Sequence, residues 1–288
     1  MSFVNFARAH GLVIDDLYPG ERIKRCATDS NPKSKNGAYF WDGQRGWVFA
    51  WDGEAKVQWF NDPTAKPWTD AEKAEWKVKR QAAQASQALD HKRAAIRAAD
   101  MLREAVMGEH NYLHFKGFPK AEGFVTASGT LLIPMRSVFT NELQGVQAIR
   151  WIEADRSYEK KMNPGMKAKG AIFRMGDKTA PETFLCEGYA TGLSIFAALR
   201  SVGLRACVLV CFSAGNLVNV APAIRGKGFV FADNDKSQAG EKAAQQTGLP
   251  YCMPGVVGED ANDLHMRAGL MAVCQHLMAV RRKELAMT

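Results

Sequence analysis

With 288 residues the chain is long enough to bury a sizeable core and to form two domains. Its 38 basic and 30 acidic side chains leave a net charge of +8, which favours a polyanionic partner. No apolar run approaches the roughly 20 residues of a membrane span, and the opening MSFVNFARAHG lacks the apolar stretch of a signal peptide, so the expectation is a cytoplasmic protein with no membrane partner.

Residues 1–68 are unusually aromatic: Trp41, Trp47, Trp51, Trp59 and Trp68 are five of the seven tryptophans. The runs AYFW, GWVFAW and AKVQWF, separated by Asp42-Gly43 and Asp52-Gly53, predict a three-stranded meander. The two-residue period puts Trp47, Phe49 and Trp51 on one face, and Val57 and Trp59 on one face of the next strand. Two readings of that face stay open, the core of a small sheet or a platform on which single-stranded DNA stacks at Trp47, Trp51 and Trp59. The cations Arg22, Lys24, Arg25, Lys33, Lys35 and Arg45 suit the second reading and are otherwise solvated surface.

After Pro67 and Trp68, the order Thr69-Asp70-Ala71-Glu72 is a capping box that starts a helix. Good helix formers carry it to about Met107, with Gly108 as terminator. Its first half has little apolar face, while Leu89, Ile96, Ala99, Leu102 and Val106 form a stripe in the second, so 69–108 is expected to be a helical linker packed only at its end.

Residues 109–180 are expected to form a basic subdomain of short strands and turns, with TLLIPMRS and VQAIRWIEA the clearest strands. Lys116, Arg136, Arg150, Lys160, Lys161, Lys167, Lys169 and Arg174 are its candidate nucleotide- and DNA-binding residues. The glycine and proline among the lysines of YEKKMNPGMKAKGAIFRMG fit a phosphate-contacting loop as well as a mobile surface loop.

From residue 181 to 288 the pattern becomes strand, helix, strand, helix. TFLCEG, ACVLVCF, GFVFADND and PYCMP read as strands, with helices between them and a last helix from Asp263 to about Leu285. Continuous apolar strands alternating with helices predict a parallel sheet covered on both faces.

Ligands of such sheets sit beyond the carboxyl ends of the strands. Glu187 follows TFLC, Asp233 and Asp235 follow GFVFA, and Asp260 with Asp263 follows PYCMPGVVG. Clustered carboxylates repel unless a cation joins them, and Mg2+ or Mn2+ suits hard oxygen ligands. The expected metal residues are therefore Glu187, Asp233, Asp235 and Asp260, although each acid also has a role open to it in a loop or helix cap. Zinc is not expected, because the one close cysteine pair, Cys207 and Cys211, lacks the second pair of Cys or His ligands that zinc sites use.

LCEGYATGLSI, FADND and GEDANDLH, in this order, resemble the Toprim domain shared by primases, topoisomerases and some nucleases. Together with NYLHFKG, TLLIPMRS, VQAIRWI and CFSAGNL, the wording is most similar to primases of phages and plasmids, including those of satellite phages, over about residues 110–283. The resemblance implies an α/β fold in which a Toprim-like parallel sheet flanked by helices follows a basic α+β subdomain and a small β-rich N-terminal region. It makes Glu187 a metal ligand or general acid/base, Asp233 and Asp235 the metal-binding DxD pair, and Asp260 the later acid. The implied activity is a DNA primase of a phage or plasmid in a bacterial cell. It would join ribonucleoside triphosphates on a single-stranded DNA template, with a replicative helicase acting in trans because no GxxxxGK[ST] loop is present. A Toprim nuclease and a non-catalytic single-stranded-DNA-binding or helicase-loading protein are the alternatives. The chain departs from bacterial replicative primases at Thr191, where these often carry an aspartate, and in having no N-terminal zinc ribbon.

Overall fold

The computed structural model describes residues 1–287 apart from 21, 34, 52–55 and 63–68, with side chains described as far as residue 282. The turn expected at Asp52-Gly53, and Pro67 and Trp68, lie outside the described residues. Two compact units make up the chain, Met1–Arg80 and Gln81–Thr288.

In the first unit, helix α1 (Phe3–Ala9) precedes strands β1 (Leu12–Val13), β2 (Lys24–Thr28), β3 (Gly37–Trp41), β4 (Arg45–Ala50) and β5 (Gln58–Asn61). The strands form one antiparallel sheet in sequence order, so the expected meander is extended by two strands. Asp42 shapes the β3–β4 turn by accepting bonds from the N–H groups of Gln44 and Arg45 (2.8 and 2.6 Å), and Gly43 takes the positive φ of 109° that a hairpin turn favours. One face of this sheet packs on α1 through Phe3, Ala7, Leu12, Tyr39, Val48 and Phe60.

Helix α2 (Asp70–Glu104) starts at the expected capping box: Glu72 accepts from the Thr69 N–H at 2.7 Å, and Thr69 accepts from the Glu72 N–H at 3.3 Å. Its packed stripe differs from the expected one. Leu89, Ile96 and Val106 are exposed, while Ala94 and Ala98 are buried and Met101, Leu102 and Ala105 pack beside them on Leu132 and Val146. Small side chains let the helix approach a sheet more closely than branched ones, so the alanines, spaced i and i+4, set the buried face.

The second unit continues with β6 (Val106–Gly108), α3 (Asn111–Phe115), β7 (Gly123–Val125), β8 (Thr130–Ser137), β9 (Leu143–Ile152), β10 (Ser157–Met162) and β11 (Ala171–Gly176). Next come β12 (Glu182–Cys186), α4 (Tyr189–Ser201), β13 (Ala206–Val210), α5 (Ala214–Val220) and β14 (Lys227–Phe231). The chain ends with α6 (Ala239–Thr247), β15 (Tyr251–Cys252), α7 (Ala261–Ala268) and α8 (Leu270–Met287). The single last helix expected from Asp263 is thus two helices, broken where Gly269 takes φ +82°.

One mixed sheet runs β10-β9-β8-β11-β13-β12-β14-β15, with β7 pairing β8 and β6 pairing β7. Strands β13, β12, β14 and β15 are parallel, and β11 joins them to the antiparallel β8–β10. Because β12 leads first to β13 on one side and then to β14 on the other, the strand order reverses at its carboxyl end, where a crevice opens. One face of the sheet buries Phe184, Phe229 and Phe231 under α4, α7 and α8, and the other buries Leu185, Leu209 and Val230 under α5 and α6. Among the described residues no helix is long and apolar enough to cross a membrane.

Candidate active site

At the crevice, Glu187 leaves the end of β12 and Asp233 follows β14. The Glu187 carboxyl is pushed up to about 7, first by burial and then by the Asp235 charge, against a backbone hydrogen bond from Ala214 at the start of α5. Asp233 rises further, to about 8, through burial and then the charges of Glu187, Asp260, Asp235 and Asp263. Its Oδ1 is buried with no hydrogen-bond partner. An acceptor oxygen taken out of water without a donor is costly, so this atom is the strongest local sign of a cation-binding position.

The other two expected ligands are already committed to their own loops. Asp235 accepts from the Ser237 hydroxyl, from the Ser237 and Ala239 N–H groups (2.8 and 3.3 Å) and, through Oδ2, from Gly240 N–H at 2.9 Å. Burial would raise its pKa, but these donors together hold it below the ordinary value. Asp260 is the N-cap of α7, accepting from the N–H groups of Asn262 and Asp263 (2.6 and 2.9 Å) while Asp263 closes the capping box. Its second oxygen accepts from Thr191 at 2.9 Å. Thr191 is fully buried, and an aspartate at that position would set a second carboxylate against Asp260.

Among the described residues no three His, Cys, Asp or Glu side chains group closely enough to hold one metal ion. Magnesium is commonly held by one or two carboxylates with waters and substrate phosphate completing its shell. The paired Glu187 and Asp233, with an unpartnered buried oxygen, fit that chemistry. Asp235 and Asp260 add charge nearby but spend their oxygens on caps. Gly240 keeps the space open, since a Cβ there would strike the Asp233 carbonyl and come 3.2 Å from Glu187 Oε1.

Two of the candidate cations face this cluster. Lys116 reaches Asp263 Oδ1 at 3.9 Å with its side chain 12% exposed, and its carbonyl accepts from Asn262, which is itself buried and also bonded to Ser194. The Lys160 side chain is open to solvent along part of its length, but its ammonium lies 5.1 and 5.2 Å from the ring centres of Tyr158 and Tyr112. That crowding, and then the Lys116 charge, lowers its pKa, while Asp260, Asp233 and Asp263 draw it back up.

The remaining candidates lie apart from the cluster. Strand alternation sends Lys161 to the face opposite Lys160, where Lys161 and Arg150 pair with Glu159 at 3.1 and 3.4 Å. Arg136 donates to the Asn141 carbonyl at 3.1 Å, and Arg174 contacts Cys207 Sγ at 3.3 Å. Lys167 and Lys169 are exposed on a loop that is clamped at its base. Arg97 and His91 of α2 donate to the carbonyls of Pro164 and Gly165 (2.7 and 2.9 Å), and Asn163 donates to Ala94 O at 3.0 Å. At the far end Gly170 N–H donates to Asn216 Oδ1 at 2.7 Å, and the Asn216 amide donates to Ala171 O and Cys211 O, both at 2.8 Å. Asn216 therefore ties the lysine loop to the turn that presents Ala214 to Glu187. The motif CFSAGNL gave this residue no expected role; its one sequence signal is a polar side chain three residues after the N-cap candidate Ser213, between apolar segments.

In the first unit the rings of Trp47, Trp51 and Trp59 lie outside the core that Phe3, Tyr39 and Phe60 form. Val48 and Phe60 face α1, whereas Trp47 pairs with Phe40 on one side and Trp59 on the other, on the opposite face. Trp59 is 66% and Trp51 50% exposed, and the Arg25 guanidinium stacks 3.8 Å over the Trp51 ring. Of the two readings open for that face, its rings are not the sheet's interior, which is made by the alternate residues and by α1.

No curated protein matches the chain. Residues 182–270 match the family model of the Toprim domain. That span begins with β12 and contains Glu187, Asp233, Asp235 and Asp260. The parallel part of the sheet, with the acids at its carboxyl end, is therefore a Toprim domain, a type typical of primases, nucleases and topoisomerases and known to bind divalent ions such as Mg2+.

Proposed function

We propose that the protein is a DNA primase that joins ribonucleoside triphosphates into short primers on a single-stranded DNA template, in a phage or plasmid replication system. The observation that carries this reading is the 3.9 Å contact of Lys116, from the basic subdomain, with Asp263 of the Toprim domain, with the nearby Lys160 feeling the charges of the same acids. Ammonium groups near clustered carboxylates suit a triphosphate, whose charge needs partners of both kinds: ammonium groups on the phosphate oxygens and a cation shared with the carboxylates. Glu187 and Asp233 would hold that ion, which when bound neutralises charge developing on the α-phosphate as a 3′-hydroxyl attacks and pyrophosphate leaves.

The chain's own residues do the rest. Asn262 fixes the Lys116 backbone through its carbonyl, Asp263 draws the Lys116 ammonium, and the two tyrosine rings hold that of Lys160, so both ammonium groups are oriented before a nucleotide arrives. The exposed Lys167 and Lys169, on a loop braced by Asn216 and α2, would follow template phosphates. In the first unit the row Phe40, Trp47 and Trp59 offers flat rings on which template bases stack without zinc. A helicase would be supplied in trans.

The test is incubation with single-stranded DNA, labelled ribonucleotides and Mg2+, with products sized by gel. Short labelled oligoribonucleotides complementary to the template are expected. Shortening of the template without ribonucleotide incorporation would replace the primase with a nuclease, and binding without either product would leave a non-catalytic replication protein.

A further inference from the structure

A cavity of about 650 Å³ lies on the α5 side of the sheet in the second unit, and the carboxylates do not line it. Its floor is the sheet face carrying Arg174 of β11 and its register partner Leu209 of β13. Helix α5 is only seven residues long, and the turn that follows it, at Pro222 and Ala223, lines the cavity. The loop after β8, with Phe139, walls one end, and Ile224 and Arg225 before β14 wall a side.

The lining holds three cations, Arg174, Lys178 and Arg225, and no acidic residue. Asp177, next to Lys178 in sequence, is occupied by Arg205 at 2.6 Å and by Thr179. Lys178 and Arg225 are exposed and Arg174 is half-buried. Like charges held around one hollow repel unless an anion fills it, so the charge selects an anionic ligand.

The arrangement also has a direction. Phe139 approaches Gly170 at the start of β11, Arg174 lies midway, and Lys178 follows the end of that strand, as Arg225 precedes the start of the parallel β14. The cations thus gather toward one end and an exposed ring, Phe139 at 70%, stands at the other. A nucleic-acid strand carries phosphate at every step and would need cations along its whole path. A single nucleotide is charged at one end and flat and aromatic at the other, and this cavity is within the usual range for a small-molecule site. We infer that the cavity binds a nucleoside polyphosphate, its phosphates on Arg174, Lys178 and Arg225 and its base against Phe139, as a second site separate from the Toprim carboxylates.

The experiment uses ribose-labelled fluorescent ATP with the full-length protein in excess EDTA, which keeps divalent metal out. It is run on the Lys116→Ala, Lys160→Ala double variant, so that the cations facing the carboxylates contribute little. Saturable binding is expected to persist there and to weaken at least tenfold when Lys178→Glu and Arg225→Glu are added. Both positions are exposed and have no carboxylate partner among the described residues, so thermal melts should coincide. Unlabelled ATP and pyrophosphate should compete, and adenosine should not. No saturable binding in the double variant, equal binding with and without the two added substitutions, or displacement by a dT oligonucleotide at lower concentration than by ATP would each overturn the inference. None of these outcomes depends on primer synthesis, so the primase reading can fail while this one stands.

Discussion

Glu187 and Asp233 are the residues on which the chemistry turns, and their raised pKa values carry a stability consequence. A carboxyl whose folded pKa lies above its unfolded value binds more protons when folded, so stability is greatest below the unfolded value and declines as pH rises toward the folded one. With Glu187 at about 7 and Asp233 at about 8, the metal-free protein should lose melting temperature between about pH 5 and pH 8, on the order of 5 °C. Adding Mg2+ at pH 8 should recover much of that loss. Differential scanning fluorimetry at the two pH values decides it, and a melt that is flat across the range with and without Mg2+ would contradict the coupled pair. At this scale the sequence marked the acids but not their division of labour. Asp233 and Asp235 look equivalent in FADND, and only the fold shows that Asp235 spends its oxygens on the first turn of α6. Lys160 and Lys161 are likewise adjacent in sequence, and the strand's two-residue period alone separates the one beside the acids from the one paired with Glu159.

Among the elements, the turn after β13 and the lysine loop act together because Asn216 bonds to both. Asn216→Ala leaves the Gly170 N–H and two carbonyls without their partner, a loss of about 3 kcal/mol if each bond is worth roughly 1. The variant should melt lower and bind single strands with a shallower salt dependence, because Lys167 and Lys169 are then no longer held in place. Chemical denaturation measures the first effect and a salt titration of binding the second; an unchanged denaturation midpoint would remove Asn216 from this role. The parallel strands were legible because buried strands read as unbroken apolar runs, and ACVLV and GFVF do so. Helix α2 was legible as a helix but not in its packing. Leu89 and Ile96 drew the expected stripe by hydrophobicity, while the contact itself was decided by how closely Ala94 and Ala98 let the backbone approach. The break between α7 and α8 hung on one glycine, Gly269, inside an otherwise continuous helical pattern.

For the molecule as a whole, the two units divide the work under the proposed function. The first carries an aromatic face whose rings lie outside its core, so Trp47→Ala with Trp59→Ala should weaken single-stranded DNA binding about tenfold or more, at ~1–3 kcal/mol per stacked base, with little change in melting temperature. If the double variant unfolds instead, those rings serve the sheet's stability and not the template. Strands β3 to β5 and the aromatic alternation were legible in the sequence, while the short β1 and the Lys/Arg-bearing β2 were not. Which face α1 would cover was not, since that choice depends on Phe3 and Ala7 packing against Tyr39 and Val48, a contact between segments far apart in the chain.

The central claim, that Glu187 and Asp233 form a metal-dependent centre for nucleotide joining, is tested most directly by a Mg2+ titration of ribonucleotide incorporation. It is run on a single-stranded template with the wild-type protein, Glu187→Gln and Asp233→Asn. Incorporation that rises with Mg2+ in the wild type and falls at least a hundredfold in both variants, while each still melts at or above the wild-type temperature without metal, is the predicted result. Incorporation in either variant equal to that of the wild type would contradict it.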